Sequence, residues 1–213
     1  MRRAALAFAL APLAAATALG QPAPRATTTL PLAVTTALEG EAPVVDDAWI
    51  DAQLEQANLL FAPHGVTFTI VERHTMPERH ARLENRRDRH VLGHRLHRER
   101  VDAFFVRSLR DVDEPERMRQ GVHWRPRGDA YDPRAHYVIV SSIAGPTVLA
   151  HELGHYFGNG HSDVPGNIMS YERGDGPPFF DAAQGARIRG SLRRFLERGE
   201  LVAAERATPA PAR

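Results

Sequence analysis

Cysteine is absent from this 213-residue sequence. No disulfide framework and no lipid-modified cysteine is therefore available, and an exported domain would rest on its hydrophobic core and on any metal it binds. Lysine is missing too: all 27 basic residues are arginine, which we read as a coding bias rather than as chemistry. Strong charge of one sign is also lacking, since the formal net charge is +1, and this argues against a nucleic-acid partner. No internal repeat is present. The longest apolar run, Ala4 to about Ala16, is too short and too alanine-rich to span a membrane. Arg2 and Arg3 precede it, and the small residues Ala16-Thr17-Ala18 and Ala18-Leu19-Gly20 follow. That is the layout of a secretory signal peptide over residues 1–20, so a secreted or periplasmic protein is expected.

What remains is 43% apolar and 25% charged over the whole chain, enough for one globular domain with a sizeable core. Residues 21–29 read as a flexible leader, 30–202 as the domain, and 203–213, with two prolines, as a disordered tail. Apolar patterning predicts strands at 30–38, 66–71, 101–106, 121–124 and 136–141. It predicts one helix from Asp46 to Phe61 and another over 182–198, with Asp181 as its N-cap. The segment 73–100 carries nine arginines and five histidines against four acids. His90, His94 and His97 there fall at i, i+4 and i+7, a spacing that could suit a second metal. No carboxylate completes that group and arginines interleave it, so a solvated basic helix is expected. His123 is expected as an exposed residue of an edge strand.

The densest chemistry lies in residues 145–171, GPTVLAHELGHYFGNGHSDVPGNIMSY. Within it, His151-Glu152-Leu153-Gly154-His155 places two imidazoles at i and i+4, on one face of a helix, where both can meet one metal ion. Gly145-Pro146 suits the start of that helix, proline being tolerated at the first helical position. Gly158 suits its end, because glycine can adopt the left-handed conformation that turns the chain back and brings in His161 as a third ligand. Three neutral imidazoles leave a tetrahedral zinc one position for water, whose pKa the metal lowers to about 7. Glu152, not needed as a ligand, is placed to act as general base and then acid.

His151-Glu152-x-x-His155-x-x-Gly158-x-x-His161, followed by Met169 in Asn-Ile-Met-Ser-Tyr, resembles the metzincin metallopeptidase signature and its Met-turn. Ser162 and the eight-residue step to Met169 are similar to matrixins. Tyr171, two residues beyond the methionine, is similar to astacins and serralysins. The resemblance implies an α+β, zincin-like catalytic domain: a mixed twisted sheet of about five strands, an N-terminal helix, an active-site helix and a C-terminal helix. It implies one catalytic Zn2+ on His151, His155 and His161, with calcium left open, and catalytic roles for Glu152 and Tyr171. Tyr171 would donate a hydrogen bond to the transition state, as opposed to packing as a core aromatic. The strand at 121–124 would form the cleft rim, antiparallel to bound peptide, and the Gly/Pro loop 172–178 would wall the pocket beyond the cut bond. The cysteine-switch propeptide of matrixins is excluded.

The expected activity is that of a secreted, monomeric zinc endopeptidase acting on protein or peptide substrates. Two alternatives stand beside it: a zinc hydrolase of cell-wall peptides, and a non-catalytic secreted binding module that retains a zinc site. The intact Glu152 and histidine set argue against the second.

Overall fold

A computed structural model describes residues 26–206. The expected signal peptide, residues 21–25 of the leader and residues 207–213 of the tail lie outside the described residues. In chain order the elements are β1 (Thr28–Glu39), β2 (Ala42–Pro43), α1 (Asp47–Phe61), β3 (Val66–Met76), β4 (Arg82–Leu83), α2 (Arg86–Val91), β5 (Val101–Val106), β6 (Ser108–Leu109), β7 (Gly121–Trp124), β8 (Tyr137–Ser141), α3 (Val148–Tyr156) and α4 (Ala182–Glu197). Thr28 and Thr29 therefore belong to the first strand and not to a leader.

The main sheet has the order β3-β1-β5-β8-β7, with short β2 folded back along the end of β1. Strands β3, β1, β5 and β8 are parallel, and β7 runs antiparallel to β8 at the edge. The α+β class and the mixed sheet of five principal strands are as expected. All six residues of β5 are buried, as a central strand covered on both faces requires.

The two faces hold separate cores. On one, Leu30, Leu32, Val34, Val101, Ala103 and Phe105 meet α1 and α3. Phe61 anchors this side by touching Phe68, Phe157 and Phe180 at ring separations of 4.9 to 5.6 Å. Fully burying a side chain of this kind is worth ~1.5–3 kcal/mol. On the other face, Met76, Leu83, Leu92, Phe104, Val106 and Tyr137 form a second cluster beneath the segment between β3 and β5.

That segment corrects the expected solvated basic helix. β3 continues to Met76, because β1 is long enough to pair with it past a bulge after Leu32 and Ile70. Only Arg86–Val91 is α-helical. Arg89, on that helix, is buried at 3% exposure. Its guanidinium donates to the Arg110 carbonyl at 2.5 Å and stacks over Trp124 at 4.7 Å. Burial pushes its pKa down to about 10. A run of arginines looks like a solvated face in sequence, but an arginine can bury its stem and set its head on a carbonyl and a ring, here with Nε left without a hydrogen-bond partner.

Candidate metal centre

Helix α3 carries the His-Glu-x-x-His motif, and its two ends are made differently from each other. Its first helical residue is Val148, so Pro146 is not at the first helical position as expected. The start is completed from another element: Gln53 of α1 accepts from the Leu149 amide at 3.1 Å and donates to the Gly145 carbonyl at 2.8 Å. Gln53 is 2% exposed, and its amide satisfies one of the helix's orphan donors and one carbonyl together. At the other end Gly158 has φ +88, as expected. Its N–H donates to the His155 carbonyl, and Asn159 N–H donates to the Gly154 carbonyl. The turn carries the chain back to His161.

The structure brings together all three predicted histidines. His155 Nε2 lies 3.1 Å from His151 Nε2 and 3.1 Å from His161 Nε2. Three nitrogens each ~2.0–2.1 Å from one tetrahedral ion stand about 3.3 Å apart, so the donor set fits a single zinc. The ring orientations fit as well. His151 Nδ1 is 2.7 Å from the Ile168 carbonyl and His155 Nδ1 is 2.8 Å from the Asn159 carbonyl. Each carbonyl claims the Nδ1 proton and leaves the Nε2 lone pair for metal. Burial lowers the pKa of all three imidazoles, that of His155 to about 4, so they are neutral donors at pH 7.

Glu152 is 5% exposed and faces the rim strand β7. A Cβ on Gly121 would lie 2.8 Å from both Glu152 Cγ and Oε1, so the strand approaches the carboxyl as closely as glycine permits. Burial pushes its pKa up to about 8, opposed by the backbone N–H of His123. A dication on the neighbouring imidazoles acts in the opposing direction and favours the carboxylate.

The Met-turn lies directly beneath. A Cβ at Gly154 would be 2.4 Å from Met169 Sδ. The turn is braced by a residue pair absent from the sequence reading: the amides of Asn167 and Gln184 exchange hydrogen bonds at 2.9 and 3.0 Å. Asn167 Oδ1 also accepts from Met169 N–H at 2.9 Å. Gln184 completes the capping box with Asp181 at the start of α4, so one side chain joins the helix cap to the floor of the site. The Asp181 cap was legible; the link to Asn167 was not. Gly154→Ala is expected to destabilise the domain by ~1–3 kcal/mol through overpacking, read as a lower Tm. An unchanged Tm would mean that Met169 can move aside at no cost.

Tyr171 is 70% exposed, not packed as a core aromatic. Its hydroxyl is 2.9 Å from His161 Nε2. Beside it lies Arg119, another residue that sequence reasoning missed. Burial acts to lower the Arg119 pKa, but its pairing with Asp111 and the adjacent Tyr171 hydroxyl leave it raised. Asp111 is held below the usual carboxylate range, near 2, by backbone N–H donors from Asp113 and Glu114 and by Arg119. His123 is not the exposed edge residue expected. Alternation along β7 directs it, like Gly121, towards α3, where its Nε2 meets His136 Nδ1 at 2.9 Å and its ring packs on Tyr156.

The three histidines, Glu152, Tyr171, Arg119 and His123 line an open cleft of about 1100 Å³ that runs between β7 and the 172–178 loop. The loop crosses the Met-turn at Gly166 and Gly174, where a Cβ on Gly174 would lie 2.9 Å from Gly166 Cα.

No family model and no curated protein matches the sequence. Solved structures do match the fold. One is metalloproteinase-II from Bacteroides fragilis, with a TM-score of 0.53 at 16% identity, covering 80% of this chain and 55% of that one. This chain thus spans little more than half the length of that protein. Mirolysin in complex with compound 9 aligns with a TM-score of 0.56 at 12% identity, covering 84% of this chain and 100% of that chain. Tannerella forsythia mature mirolysin in complex with a cleaved peptide gives 0.54 at 14%, again over 84% and 100%. The fold of this chain is thus similar to that of metalloproteinase-II and of mirolysin.

Proposed function

We propose that this protein is an exported, monomeric, zinc-dependent endopeptidase. The observation that carries the reading is the convergence of three Nε2 atoms, those of His151 and His161 each 3.1 Å from that of His155, beside the buried carboxyl of Glu152, in a cleft open to an extended chain. His151, His155 and His161 would hold the zinc, which supplies Lewis acidity towards the scissile carbonyl and the attacking water. Edge strand β7 offers unpaired backbone groups to a peptide lying antiparallel to it. Mature mirolysin is recorded with a cleaved peptide, and the cleft of this chain takes its substrate by the same likeness. Glu152 accepts a proton from the attacking water and delivers it to the leaving nitrogen. Tyr171 donates its hydroxyl hydrogen to the oxyanion that develops on the carbonyl.

Digestion of a peptide library, followed by mass spectrometry, tests the activity and reads its specificity together. Cleavage of internal bonds that stops on chelation and returns with zinc is the expected result. Hydrolysis of isolated cell wall with casein left intact would replace the endopeptidase reading by the cell-wall one. No turnover of either substrate by the zinc-loaded protein would favour the non-catalytic binding module.

A further inference from the structure

A second group of metal-binding side chains lies on the opposite face of the sheet from α3. Glu72, Ala33 and Asp102 form one row across β3, β1 and β5, since Ala33 pairs with both Glu72 and Asp102. The bulge after Ile70 puts Glu72, and with it His74 two residues on, on the same face as Asp102. His97 arrives from the loop before β5 and reaches across the row, above the small side chain of Ala33. Its Nδ1 is 2.6 Å from Asp102 Oδ1, and its Nε2 is 3.6 Å from Glu72 Oε2. His74 Nε2 lies 2.9 Å from the same Glu72 oxygen. One donor atom from each of Glu72, His74 and His97 falls within 4.8 Å of the others.

We propose that Glu72, His74 and His97 form a second, non-catalytic site for a divalent d-block cation such as zinc. Two imidazoles and one carboxylate are a donor set suited to that class of ion. Two features separate this group from an ordinary surface ion pair. Asp102, 3% exposed, accepts from the His97 backbone N–H at 3.0 Å and engages its Nδ1. That contact fixes the tautomer with Nε2 directed at Glu72, the carboxylate–histidine arrangement that supports metal ligands. Glu72 is itself oriented, because its other oxygen is bonded by Arg100, leaving Oε2 for the ion.

The rings of His74 and His97 are stacked at 4.8 Å and 9°, so their lone pairs lie in separate, nearly parallel planes. A shared ion requires one ring to turn. His74, with its side chain 39% exposed on the edge strand, is free to do so. The resulting site would be weaker than the catalytic one and open to a water ligand. Its effect would be to tie the loop before β5 to the edge of the sheet. The inference is independent of the proposed activity.

Zinc titration of the chelator-stripped full chain, followed by metal analysis, tests it. Two equivalents are expected in the wild type. His74→Ala should keep the tighter equivalent and peptidase activity but lose the weaker one. Asp102→Asn should weaken the second by ~10–100-fold, the usual effect of removing a ligand's carboxylate partner. A variant with both His155→Ala and His161→Ala should still hold one equivalent. Saturation of the wild type at one equivalent would overturn the proposal and leave an ion-pair network only. A second equivalent that survives both His74→Ala and Glu72→Gln would overturn it equally.

Discussion

Glu152→Gln is expected to lower kcat by at least ~100-fold, the lower end for loss of a positioned acid and base, with zinc content and Tm unchanged. The substitution keeps the shape of a side chain that has no spare room, since Gly121 is in contact with it. The amide oxygen can still accept from the His123 N–H that faces the carboxyl. What disappears is the ability to take up and return a proton. Initial rates on a cleaved peptide, normalised to bound zinc, measure the effect. A variant that cleaves at the wild-type rate would show that another group moves the proton.

Tyr171→Phe separates the two family likenesses carried by the motif. If the hydroxyl bonds the developing oxyanion, its loss should lower kcat by roughly 10- to 1,000-fold while KM and zinc content change little, the pattern of a contact made only in the transition state. The geometry favours this outcome. The ring is exposed, its hydroxyl is 2.9 Å from His161 Nε2, and Arg119, anchored on Asp111, lies alongside. A matrixin-like role, in which the ring only packs, predicts turnover within about twofold of wild type. That result would remove Tyr171 from the chemistry and leave the metal centre untouched.

The convergence of His151, His155 and His161, with Glu152 beside them, was legible because the geometry is local: helical spacing aligns His151 and His155, and Gly158 turns the chain within three residues of His161. The strands and the Asp181 cap were legible for the same reason. Errors arose where a partner comes from a distant part of the chain. Spacing groups His97 with His90 and His94, whereas the fold brings it to Glu72 and His74. His90 instead accepts from the Trp124 indole at 2.8 Å, and His94 packs on Tyr131. The expected basic helix failed because neither the length of β1, which draws β3 on to Met76, nor the slot beneath Trp124 that buries Arg89 is visible in residues 73–100. Gln53, at a stripe position of α1 between Ile50 and Ala57, was a signal of a buried amide with work to do on another element.

That glutamine ties the start of the histidine-bearing helix to a distant part of the chain. Its contacts with Gly145 and Leu149 span 92 and 96 residues of chain, so the loop-closure entropy of nearly half the molecule is lost before the catalytic helix has a finished beginning. Helix α3 has nine residues, too few to persist alone in water. The histidine spacing written into it therefore has no standing geometry in isolation and relies on packing partners such as α1. The paired imidazoles of His151 and His155 are thus presented by a helix whose start is completed from α1, and their geometry belongs to the folded domain and not to residues 145–161 alone.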